Sequence, residues 1–117
     1  MFKLFCLLSV AFHVIFFVVE CFYPELFIRN GSPSQISKST LLFSFNQGFY
    51  NLFLALGLVI GVLRRTKDPS YNVLVKFILI YMLGAAGVLV TSDSALYRGA
   101  LIQGLPPLLA LYFYPKN

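Results

Sequence analysis

Four stretches of this chain, residues 4–23, 41–63, 72–91 and 96–114, stay apolar for about 20 residues each, and none holds more than one charged side chain. A helix rises about 1.5 Å per residue, so about 20 residues match the hydrocarbon thickness of a bilayer. Only helices and closed barrels satisfy their backbone polar groups in lipid. A run such as LFLALGLVIGVL, residues 52–63, lacks the strict alternation of a barrel strand, so helices are predicted. The expectation is an all-α integral membrane protein, a single transmembrane domain over residues 1–117. Its short connections, 64–71 and 92–95, imply antiparallel neighbours and an up-down-up-down four-helix bundle.

Composition agrees with this reading. Hydrophobic residues make up 59% of the chain and charged residues 11%. A soluble domain of ordinary composition carries about 25% charge. The net charge of +5 does not point to nucleic acid, because the basic residues flank the apolar runs rather than lie along one polar face. Cys6 and Cys21 are 15 residues apart in the first run. On a straight helix that is on the order of 22 Å, far beyond disulfide reach. They read as small packing residues.

The first run begins after Lys3 like a secretory leader. It is longer than a leader core, contains His13, and ends Glu20-Cys21-Phe22-Tyr23-Pro24 with no small-x-small pattern. We therefore expect a retained span. Residues 24–40 form the one long loop, with Pro24, Asn30-Gly31 and Pro33 as turn signals. Residues 92–95, SDSA, carry helix-capping chemistry. With four spans, Lys3, Arg64, Arg65, Lys67, Lys76 and Lys116 fall on one side, and Arg29, Lys38 and Arg98 on the other. This excess places both termini in the cytoplasm of a multi-pass plasma-membrane protein.

The polar residues inside the spans are His13, Glu20, Asn46, Gln47, Asn51 and Gln103. By depth, all six fall between the midplane and the outer interface. They are expected to form one candidate ligand-binding layer. His13 and Glu20, seven apart, share a helix face to within about 20°, and Gln47 and Asn51, four apart, share another. Gly57-x-x-x-Gly61 permits close approach in the inner half of the second helix. Gly84, Ala85, Ala86 and Gly87 give the third helix a thin surface. Pro106 and Pro107 leave the carbonyls of Ile102 and Gln103 without helical donors, to be met by water, a side chain such as Asn51, or a ligand. Each feature also has a purely structural reading: a bonded histidine, an interfacial glutamate, interhelical amide glue, a proline kink.

The order His13-x6-Glu20, then Asn46-Gln47-Gly48-Phe49-Tyr50-Asn51-Leu52-Phe53-Leu54-Ala55, then Gln103-Gly104-Leu105-Pro106 resembles a family of small membrane proteins, domain of unknown function 1304. The Asn-Gln-Gly-x-Tyr-Asn block is its most specific part. The resemblance covers essentially the whole chain and implies a four-helix bacterial membrane protein with no assigned activity. The sequence departs from the family in a longer, more polar region over residues 30–38.

Three functions remain open at this point. The leading one is binding of a small amphiphile or lipid at His13, Glu20, Asn46, Gln47, Asn51 and Gln103, with aromatic walls drawn from the 13 Phe and 7 Tyr. The second is a dimeric proton-coupled transporter using Glu20. The third, less favoured, is an intramembrane enzyme in which His13 and Glu20, about 10 Å apart along a helix, flank a lipophilic substrate. No cofactor is expected. One His and two separated Cys make a poor metal site. The partners expected are the bilayer, a lipophilic ligand and, left open, a second copy of the chain.

Overall fold

The computed structural model describes residues 1–26 and 36–115. Arg29, Asn30-Gly31, Pro33 and Lys116, used above for turns and orientation, lie outside the described residues. Four helices follow one another: α1 Phe2–Phe22, α2 Lys38–Arg64, α3 Tyr71–Ser92 and α4 Tyr97–Tyr112. Short 3-10 turns stand at Pro24–Leu26 and Ser94–Leu96. Among the described residues there is no strand.

Local chemistry sets the helix ends. Ser37 caps α2 by accepting the Thr40 N–H at 3.1 Å. In the turn between α2 and α3, Asp68 Oδ1 accepts the Ser70 N–H at 2.9 Å. Together with the Ser70 side chain, this bond holds the Asp68 carboxyl below its ordinary range. Asp93 accepts the Ala95 N–H at 2.9 Å, so the SDSA turn caps as its residues imply.

Three helices, α1, α2 and α3, are long and apolar enough to cross a membrane. The fourth is shorter than the 96–114 expected of it. It has 16 residues, about 24 Å of helix against a hydrocarbon core of about 30 Å. The turn at Ser94–Leu96 delays its start. Pro115 then disfavours helical backbone at the residue before it.

The helices close into a ring in which α1 packs on α2 and α4, and α3 packs on α2 and α4. The main buried apolar cluster lies in the half that holds the termini. It comprises Phe2, Cys6, Leu58, Val75, Ile78, Leu79, Met82 and Ala110. Here the glycines of α2 bring α3 close. A Cβ on Gly57 would lie 2.9 Å from Ile78 Cδ1, and one on Gly61 2.7 Å from Val75 Cγ2. In lipid the gain from such contact is dispersion rather than water release, so close approach matters more than apolar area. The outward faces, with Leu7, Phe53, Ile60, Phe77 and Leu101 exposed, suit a bilayer.

An aromatic and basic cluster ties all four helices together at the same end. The Arg65 guanidinium lies 4.6 Å from the Phe2 ring centre and 4.7 Å from that of Tyr114. Lys76 Nζ is 4.9 Å from the Tyr114 ring. The Tyr114 hydroxyl donates to Asn72 Oδ1 at 2.6 Å. Cation–π geometry lets the charges stay at the surface while their stems cover apolar rings.

Candidate functional site

At the far end, α2 and α3 part. Pairing persists within each hairpin. A Cβ on Gly48 of α2 would lie 2.5 Å from Cys21 Sγ and 3.1 Å from the Phe17 carbonyl oxygen of α1. The Ser44 hydroxyl donates to the Glu20 carbonyl at 2.8 Å, and Phe17 meets Phe49 edge-on at 5.2 Å. On the other side, a Cβ on Gly104 of α4 would lie 2.8 Å from the Ala86 Cβ of α3. Between these two zipped pairs lies an open cleft of about 1150 Å³. Helices α1 and α4 contribute its floor, and α2 and α3 its walls.

Five of the six sequence-predicted residues line this cleft: Glu20, Asn46, Gln47, Asn51 and Gln103. Their depths follow from helical rise, and the opening follows from the parting of α2 and α3. Glu20 and Asn51 form its polar base. Asn51 is buried, and its Nδ2 donates to Glu20 Oε2 at 2.7 Å. Asn51 is thereby directed at α1 rather than at the carbonyls freed by Pro106 and Pro107. Both prolines are buried, and α4 continues through them. Asn46 and Gln47 are exposed along the α2 wall, and Gln103 is half-buried on the floor.

His13 stands apart from the layer it was grouped with. It is fully buried and does not line the cleft. It shares a face with Glu20 but sits about 10 Å nearer the midplane, where the ring has closed. Its Nδ1 is 2.8 Å from the Ser9 carbonyl oxygen, which can only accept, so Nδ1 carries a proton. Its Nε2 is buried without a partner among the described residues. Phe16 meets the imidazole edge-on at 6.0 Å and lines the cleft on its other side. His13→Phe removes one bond worth about 0.5–1.5 kcal/mol together with an unpaired polar atom that itself costs free energy. We expect a stability change within about 1 kcal/mol by denaturant titration in mixed micelles. A loss of several kcal/mol would mean that Nε2 has a partner.

The small residues of α3 act differently from those of α2. A Cβ on Gly84 or Gly87 would meet nothing within 4 Å. Gly84 and Ala85 widen the cleft, and only Ala86 serves close packing.

Several lining residues escaped the sequence reading. Thr40, Phe43, Ser44 and Tyr50 complete the α2 wall with Gln47 and Asn51. Their i, i+3, i+4 spacing was available as a signal, but hydroxyls and aromatics cost little in a span and do not stand out. Tyr81, from the α3 wall, carried no local signal at all. Among the described residues, no three His, Cys, Asp or Glu side chains gather as a metal set.

Ring closure, lipid-suited outer faces and a cleft with a polar base define a small multi-helix membrane protein. A family model described as protein of unknown function (DUF1304) matches residues 7–114, and the chain belongs to that family. No curated protein and no solved structure matches it.

Proposed function

We propose that this membrane protein binds a small amphiphile or lipid in the cleft at the end opposite its termini. The cleft itself carries the reading. Its volume of about 1150 Å³ is at or above the range of about 300–1,000 Å³ usual for small-molecule sites. Its walls are α2 and α3, and entry between them would admit a lipid-soluble molecule from the bilayer. A gap of this size facing lipid is filled by tails, while the Glu20–Asn51 base offers polar contact to a head group.

Two observations favour binding over the other functions considered. The packed core at the termini end makes the cleft a dead end, which suits holding better than conducting. His13 lies outside the cleft, so His13 and Glu20 do not flank one substrate as an acid/base pair would. Native mass spectrometry in gentle detergent tests the reading. The expected result is a monomer mass plus a lipid-sized adduct. A bare monomer, or a dimer with no added mass, would refute it.

We further propose the plasma membrane and cytoplasmic termini, from the basic excess at the termini end. A C-terminal phosphatase reporter that works only outside the cytoplasm should stay inactive; an active fusion would invert the topology.

A further inference from the structure

We propose that the head group selected by this cleft is an organic ammonium carried on an apolar tail; the inference rests on the cleft being an amphiphile site. Glu20 is the only charged side chain among the cleft-lining residues described. Its Oε2 takes a hydrogen bond from Asn51, a donor that brings no charge. A carboxylate at membrane depth with no cation beside it is costly, and an incoming cation relieves that cost.

Among the described residues, the basic side chains at this end do not serve. Lys38 and Arg98 are exposed and lie outside the lining. Arg98 is turned to its neighbour, its Nε donating to the Tyr97 hydroxyl at 3.1 Å. An anionic head group would meet the carboxylate's repulsion. A neutral one would leave the carboxyl to be neutralised by a proton alone.

The aromatic lining points the same way by separate physics. Phe16, Phe43, Tyr50 and Tyr81 line the cleft that Glu20 enters. Aromatic faces attract alkylammonium groups through their quadrupole, and a quaternary ammonium gains from several rings at once. A carboxylate with aromatic walls and, among the described residues, no lysine or arginine in the lining is the recognition set for such a cation. The apolar surface of α3 at Gly84, Ala85 and Val88 leaves room for the tail.

Calorimetric titration of the full chain separates the two levels of the proposal. The chain is placed in nanodiscs of uncharged galactolipid, with empty discs subtracted. The probes are decyltrimethylammonium, decyl glucoside and decyl sulfate, which share one tail. Decyltrimethylammonium should bind roughly tenfold tighter than the glucoside, with the sulfate weakest. Glu20→Gln should bring the ammonium down to the glucoside level. Gln47→Lys, which leaves the Glu20–Asn51 pair intact, should abolish the ammonium preference and keeps the test open if Glu20→Gln fails to fold. Equal affinities for the three probes, or a preference that survives Gln47→Lys, would overturn the head-group assignment and leave the amphiphile site standing. No saturable binding of any probe would overturn both.

Discussion

Gly48→Val should separate α1 from α2 and lower stability by roughly 2–3 kcal/mol, the upper part of the range for overpacking. The nearest obstacle to a Cβ is Cys21 Sγ at 2.5 Å, but the deciding one is the Phe17 carbonyl oxygen at 3.1 Å. A thiol can rotate aside; backbone of a neighbouring helix moves only with the helix. At Gly61 the nearest backbone atom is farther, Val75 N at 3.7 Å, so the same change there should cost less. The wedge at Gly48 also threatens the Ser44–Glu20 bond one turn away. Cys21→Ala in the Gly48→Ala background should restore part of the loss, because it clears the thiol and leaves the carbonyl. Unfolding in mixed micelles, followed by circular dichroism, measures both. Wild-type stability in Gly48→Val would contradict the close approach of α1 and α2.

The second large effect is expected at Asn51. Asn51→Leu keeps the number and branching of the side-chain heavy atoms and removes the Nδ2–H that meets Glu20 Oε2 at 2.7 Å. A bond to a charged group is worth about 1.5–3 kcal/mol in general, while interhelical bonds measured in membranes reach at most about 1.7 kcal/mol. A loss of about 1.5 kcal/mol is therefore expected. Glu20→Gln preserves an acceptor for Asn51 without charge; the neutral bond that remains is worth about 0.6 kcal/mol, so the variant should cost less, about 0.9 kcal/mol. If Glu20→Gln costs nothing, the charge of Glu20 adds nothing to the pair; if both substitutions cost the same, the charge carries all of it. If Asn51→Leu costs nothing, the pair does not hold α1 to α2. The same variant should release any adduct seen by native mass spectrometry, since it dismantles the polar base of the cleft.

The bundle and the site differ in how far they could be read from residues. Helix number and the tight contact at Gly57 and Gly61 follow from apolar length and small-residue spacing, both local properties. The far-end position of Glu20, Asn46, Gln47, Asn51 and Gln103 follows from rise per residue, which holds for any straight helix. The same arithmetic overextended α4, because a turn at one end and Pro115 at the other shorten a helix that is apolar throughout. It also grouped His13 with Glu20, because sharing a face does not mean sharing a solvent. Seven residues of depth carry His13 from the open part of the ring into the closed part.

The polar groups in these four spans had to lie toward one end, and the chain alone determined that much through the fixed geometry of helices. Only the tertiary structure decided what those groups do together. Whether two helices zip or part depends on their mutual rotation and splay. A few contacts set these: Gly48 against Cys21 and Phe17, Gly104 against Ala86, and Asn51 reaching Glu20 across 31 positions. No periodicity within one helix encodes them. The open space beside Gly84 and Gly87 arises from the same cause, because a small residue looks alike in sequence whether a neighbour fills the space it leaves or a cleft does.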